Sequence, residues 1–226
     1  MECYVVDTKK VEIPLLQPAR FTIEIRCDDD VESPRDWDNL GEMICYHSRH
    51  DLGDREPNGK NRTRDKYTQE ELKEIIERPD VISLPLYLYD HSGITMSCGP
   101  FSCPWDSGQV GYIFITKAKA REEFDWKLIT EARRKKLLEY LENEVKTYDT
   151  YLTGQVLEYI TTEDETEEVI DSCGGFYDDA DEVMKNAMGE LHAHVRMENE
   201  KRQKEFDAPP PVEETKDEQE DHNSDK

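Results

Sequence analysis

The sequence predicts an α+β protein with an antiparallel or mixed sheet, one long central helix, a C-terminal helix and a disordered acidic tail. Three observations lead there. Over Phe21 to Arg26 apolar and polar residues alternate, the two-residue period of a half-buried strand. Leu137, Leu141, Val145, Tyr148 and Leu152 recur at steps of three and four, the stripe of a long helix. The strand-like segments come in neighbouring groups with hairpin-sized connections, which favours antiparallel pairing over a doubly wound parallel sheet.

Each element has a local reason. Asp28-Asp29-Asp30 ends the first strand, and Glu42 to His47 supplies a second. Thr68 to Glu71 has the capping-box spacing and opens a short helix through Leu72, Ile75 and Ile76, stopped before Pro79. Val81 to Tyr89 reads as a strand in which Pro85 marks an edge or a bulge. Asp90-His91-Ser92-Gly93 is turn chemistry, followed by strands over Ile94 to Ser97 and Gly111 to Thr116. The long helix spans Thr130 to Tyr151 and closes at Gly154. Val156 to Thr161 and Val169 to Asp171 bracket an acidic turn and form a hairpin. A last helix starts near Ala180 with Val183, Ala187, Leu191 and Val195 on its core face, and beyond Arg196 it is charged all round and projects. The expected organisation is a single domain over 1–204 and a disordered tail over 205–226, with no internal repeat.

Charge restricts the function. The 226 residues include 53 Asp plus Glu against 29 Lys plus Arg, a formal net charge of −24. A chain this acidic lacks the surplus of Lys and Arg that neutralises phosphates, so direct nucleic-acid binding is excluded, as is coating an anionic membrane. The tail carries −7 of that charge, and the remaining −17 belongs to a body that also has basic stretches at Lys117 to Arg121 and Arg133 to Lys136. No apolar run approaches the roughly 20 residues that span a bilayer. The N-terminus lacks a secretory or lipidation signal, and the 6 cysteines are too sparse for a disulfide framework. These features predict a cytoplasmic protein with reduced thiols.

Three loops carry residues without an obvious core purpose: Pro34 to Gly41, Asp90 to Gly93 and Pro100 to Gln109. A loop tryptophan beside acids suits a recognition surface, so Asp36, Trp37, Asp38, Trp105 and Asp106 are the candidate binding residues. Loop plugs and turn hydrogen bonds are the commoner fate of such residues. Asp90, His91, Cys103, Asp106 and Ser107 are the candidate catalytic residues. A hydrolytic set drawn from them, such as Cys103–His91–Asp106 or Ser107–His91–Asp90, has to be assembled across two loops, because adjacent residues seldom reach one another. A polar turn using Asp90, His91 and Ser92 for backbone bonds is the simpler alternative. Cys98 and Cys103, with His91 or Cys45 and His47 completing four ligands, are weak candidates for zinc, and without a second C-x-x-C pair no metal and no cofactor is expected.

The segments PRDWDNLG, LPLYLYDHSGIT, PFSCPWDSGQVG, EVKTYDTYLTG and DSCGGFY, in that order between Pro34 and Tyr177, resemble a family of uncharacterised proteins encoded by bacteriophages and mobile elements. In that family a Trp and a Gly bracket the last segment, where this chain has Gly174 and Asp178. The resemblance implies a small protein acting inside a bacterial cell and supplies no activity. A charge of −24 equals that of roughly 40 Å of duplex DNA. The leading expectation is therefore a non-enzymatic interaction protein whose acidic surface and Trp-bearing loops bind a basic host or phage protein, with anti-defence or nucleic-acid mimicry as the role. The alternative is a small hydrolase or metal-dependent enzyme at the Asp90 and Cys103 loops.

Overall fold

The computed structural model describes residues 5–13, 19–55, 65 and 67–207. Among them the chain forms eight strands in two four-stranded antiparallel sheets, with four α-helices. Strands β1 (Val5–Ile13), β2 (Ala19–Cys27), β7 (Leu157–Glu163) and β8 (Val169–Phe176) make the first sheet, in the order β1-β2-β7-β8. Strands β3 (Glu42–Cys45), β4 (Val81–Asp90), β5 (Ile94–Ser97) and β6 (Ser107–Thr116) make the second, in the order β3-β6-β4-β5. The chain begins and ends in the first sheet and builds the second in between.

Each sheet has its own core. The alternation expected over Phe21 to Arg26 buries Phe21, Ile23 and Ile25 against Val183, Ala187 and Leu191 of helix α4 (Ala180–Asp207). On the second sheet, Met43, Leu86 and Ile113 pack with Leu137, Leu141, Val145 and Tyr148 of α3 (Glu131–Leu152). The short helix α1 (Gln69–Ile76) covers the other face of that sheet, where Leu72 meets Ile44 and Phe114. Cover on both faces explains why β6 reads as a nearly continuous apolar run rather than an alternation. Both long helices expected from the sequence form, with 22 and 28 residues, but each backs a different sheet, so no single helix is central to the fold.

Several local expectations correspond to what forms. Thr68 and Glu71 make the reciprocal capping box, with Glu71 N–H donating to Thr68 Oγ1 at 3.1 Å and Thr68 N–H to Glu71 Oε2 at 2.7 Å. Pro85 lies on an inner strand, yet β5 pairs only with Tyr87–Asp90, so that side of Pro85 is an edge, and the register slips between Leu86 and Tyr87. Gly154 closes α3 with φ +66°, the left-handed cap. The second strand is shorter than expected and stops at Cys45. Strand β1 and helix α2 (Lys117–Glu123) went unread, because most of β1 is exposed and α2 has only Ala120 buried. Helix α4 runs on to Asp207, three residues past the expected limit, while its last buried position is Val195. The expected tail beyond 207 lies outside the described residues. Among those described, no helix is long and apolar enough to cross a membrane.

The connection between the sheets turns on a buried arginine. Ser33 caps a 3-10 turn (Pro34–Asp36), and the Arg35 side chain, only 2% exposed, drives inward. Its Nε donates to Asp54 Oδ1 at 2.7 Å, Nη1 to Glu144 Oε2 at 2.9 Å and Nη2 to the Gly41 carbonyl at 2.8 Å. Glu144 Oε1 also accepts the Leu40 N–H at 2.8 Å, and Asp54 Oδ2 accepts the Met43 N–H at 2.9 Å. Burial works against the guanidinium charge, but Asp54 and Glu144 more than offset it and hold the pKa above its ordinary value. Removing one partner from such a set strands a buried charge. Glu144→Ala is expected to destabilise the fold by about 3–5 kcal/mol, read by chemical denaturation. A loss below about 1 kcal/mol, the range of an exposed ion pair, contradicts this account.

Candidate functional site

The Asp90 and Cys103 loops meet at the free end of the β4–β5 hairpin. Asp90 N–H donates to the Asp106 carbonyl at 2.8 Å, and His91 N–H donates to Gly93 O at 3.0 Å across a turn in which Ser92 has φ +56°. The candidate catalytic residues come together only in part. His91 Nδ1 lies 3.5 Å from Asp106 Oδ2, and Cys103 Sγ donates to the same oxygen at 3.4 Å. Ser107 Oγ donates to the Cys103 carbonyl at 2.5 Å, and Ser92 Oγ to the His91 carbonyl at 2.7 Å.

This order is wrong for nucleophilic catalysis. A triad places the imidazole between nucleophile and carboxylate, so that the base reaches the proton it removes. Here the Asp106 carboxylate stands between Cys103 and His91, and both serine hydroxyls donate to main-chain carbonyls. Asp90 turns away from His91, since successive side chains of an extended strand point to opposite faces. It faces the segment after β3 instead, accepting from Arg49 Nη2 at 2.7 Å and lying 3.0 Å from His50 Nε2 and 3.9 Å from His47 Nε2.

That segment supplies the residues able to hold a metal. One ligand atom from each of His47, His50 and Asp90 falls within 4.8 Å of the others. The other zinc candidates of the sequence, Cys45, Cys98, Cys103 and His91, do not belong to this group. Cys45 is fully buried in the core, Cys98 packs against that core, and Cys103 and His91 engage Asp106. His50 was missed, although the H-x-x-H spacing of His47 and His50 was its signal.

A second region gathers acids from three distant segments. Trp37 follows the 3-10 turn, its loop fixed by Asn39 Nδ2 donating to the carbonyls of Pro34 and Trp37 at 2.8 and 2.9 Å. The indole is 49% exposed and packs edge-on against Tyr177, with ring centres 5.3 Å apart. Tyr177 follows Gly175, whose N–H donates to Asp28 Oδ2 at 2.9 Å. A side chain at 174 would overlap the Asp28 carboxylate, so Gly174 is what admits this contact. Asp28 thus meets the stretch that leads to Tyr177, and the exposed Asp36, Asp38, Asp178 and Asp179 flank the Trp37–Tyr177 pair along the chain. Between Lys146 and Lys185 the chain has no basic residue at all. Of the basic stretches, Lys119 reaches the Trp37 loop, donating to the Asn39 carbonyl at 3.0 Å, while Arg133 lies 4.8 Å above Trp126 and Lys136 5.5 Å above Tyr140 in the ring stack with Phe124. Trp105, 92% exposed, does not fold back as a plug.

Cys98 is a poor metal ligand for a further reason. Burial, and then the negative Glu142, push its thiol up to about 11, and the thiolate is the ligating form. Alkylation of Cys98 in the folded protein is expected to stay slow at pH 8 and to accelerate toward pH 11, while the exposed Cys173 is labelled at pH 8. Equal labelling of the two at pH 8, read by peptide mass spectrometry, contradicts this. Comparison of the chain with family models, with curated proteins and with solved structures gives no match.

Proposed function

We propose that this chain is a non-enzymatic interaction protein that binds a basic protein through the acidic surface around Trp37. The observation that carries the reading is the Trp37–Tyr177 pair, flanked along the chain by the exposed Asp36, Asp38, Asp178 and Asp179. Trp37 supplies an exposed, rigid apolar contact of the kind that anchors interfaces, and the surrounding carboxylates supply selectivity and steering for cations. Arg35 adds no positive field to the patch, because its side chain is buried and paired with Asp54 and Glu144. The resemblance of the loop segments to phage and mobile-element proteins suggests the bacterial cytoplasm as the setting. A nucleic-acid-handling or defence enzyme suits the chemistry as partner, since its basic groove recognises an array of negative charge.

Capture of partners from bacterial lysate on the immobilised protein tests this. Retention is expected at about 50 mM salt and loss near 0.5 M, where the screening length falls to a few ångströms. A variant carrying Asp36→Asn, Asp38→Asn, Asp178→Asn and Asp179→Asn is expected to lose at least about tenfold in affinity, mainly through slower association. Trp37→Ala is expected to lose a comparable factor through faster dissociation. Retention indifferent both to salt and to these substitutions sinks the proposal.

A further inference from the structure

The cluster of His47, His50 and Asp90 serves neither the acidic surface nor the core. We infer that it is a binding site for a divalent transition-metal ion of the zinc type. Two imidazoles and one carboxylate form a donor set that suits zinc, cobalt, nickel or copper, whereas calcium and magnesium prefer all-oxygen sites. The three ligand atoms lie within 4.8 Å of one another, and small side-chain rotations bring them to the roughly 3.3–3.6 Å left by tetrahedral donors that reach a common ion at about 2.0–2.2 Å. All three residues are partly buried, so the site is neither sealed in the core nor a chance grouping of mobile surface side chains.

The surroundings fix the ligands from two sides. Asp90 ends β4 and is held by its N–H bond to the Asp106 carbonyl, which sets the carboxylate against the segment after β3. His47 and His50 stack with ring centres 5.0 Å apart and planes 17° from parallel, so their nitrogens present together. Arg49, whose side chain is 70% exposed, places its guanidinium on Asp90 at 2.7 Å. A cation therefore already occupies the carboxylate, held on an arm free to swing into solvent. His47 Nδ1 accepts the His50 N–H at 3.1 Å and the Arg49 N–H at 3.4 Å, which leaves the ring proton on Nε2, toward Asp90. Coordination through Nε2 needs the tautomer with the ring proton on Nδ1, so these two amide contacts give way as the ring turns. Three protein ligands leave a coordination position open, as catalytic rather than structural zinc sites do. His47 and Asp90 line a cleft of about 420 Å³ together with Trp105, Asp106 and Gln109.

Titration of the full chain with zinc chloride, followed calorimetrically and by the visible spectrum of a cobalt(II) substitute, tests the inference. One ion per chain is expected at this site, with a dissociation constant in the micromolar range or below. His50→Ala and His47→Ala are expected each to weaken binding at least tenfold while circular dichroism shows an intact fold. Arg49→Ala is expected to bind at least as tightly as the parent, because it removes the competing cation. His91→Ala is expected to bind unchanged, since His91 faces Asp106. Magnesium at millimolar concentration should not compete. Zinc affinity insensitive to both His47→Ala and His50→Ala, or effective competition by magnesium, overturns the site, as does the absence of zinc binding below about 1 mM.

Discussion

The position of the Trp37 loop depends on the Arg35 charge being buried and fully paired. A guanidinium in the interior is tolerated only when its donors meet acceptors and its charge meets opposite charge. Arg35 meets both conditions from three parts of the chain: Asp54 after β3, Glu144 in the middle of α3, and the Gly41 carbonyl at the start of β3. The second oxygens of the two carboxylates then anchor the amides of Leu40 and Met43. Gly41 lets the backbone come this close, because a side chain there would press into Leu141 and Ile113. An apolar residue of similar volume at 35 could fill the space, but it would not fix the direction in which the 34–41 loop leaves the core. The ionic arrangement contributes specificity more than net stability.

From that anchor the rest follows in order. With Arg35 pointing inward, the turn that follows must place Trp37 outward, and the indole comes to rest on Tyr177 of the first sheet. Asp28 meets the same stretch of chain from the end of β2, bonding Gly175 while its own N–H reaches the Val156 carbonyl. The Trp37–Tyr177 contact thus ties the loop that leads into the second sheet to the chain just past β8 of the first. Asp149 performs a similar task within the second unit, accepting from Thr95 Oγ1 and the Met96 N–H and so fastening β5 to α3.

The sequence showed elements better than their partners. The strand at Phe21, the capping box at Thr68, the α3 stripe and the Gly154 cap are local patterns, and they formed as expected because local chemistry determines them. The division into two sheets was not legible, since antiparallel alternation says which face a residue takes and not which distant strand it joins. Strand β1 lay hidden because an exposed edge strand needs no apolar alternation. At the loops, residue types were visible but directions were not. Asp90 and His91 are neighbours in sequence, and strand geometry sends one toward His50 and the other toward Asp106. His50 carried a readable signal three residues from His47, outweighed by the turn chemistry of the following hairpin.

The net charge of −24 also looks different once its members are sorted by what they touch. Asp54 and Glu144 are neutralised by Arg35, Glu158 pairs with Arg26, and Asp149, Asp28 and Asp171 accept hydrogen bonds from protein donors. These carboxylates stabilise the fold and do little for a partner, because their charge is compensated or directed inward. The field a partner meets comes from exposed acids outside these bonds, such as Asp36, Asp38 and Asp178 around the Trp37–Tyr177 pair. At the start of α3, cation–π contacts hold Arg133 and Lys136 on the Phe124, Trp126 and Tyr140 stack, whereas Lys119 of α2 bonds the Asn39 carbonyl. Two separate reasons thus shape the charged surface: a run between Lys146 and Lys185 without lysine or arginine, and aromatic rings that gather Arg133 and Lys136. Neither reason involves His47, His50 or Asp90, so the acidic surface and the histidine pair can be altered independently of each other.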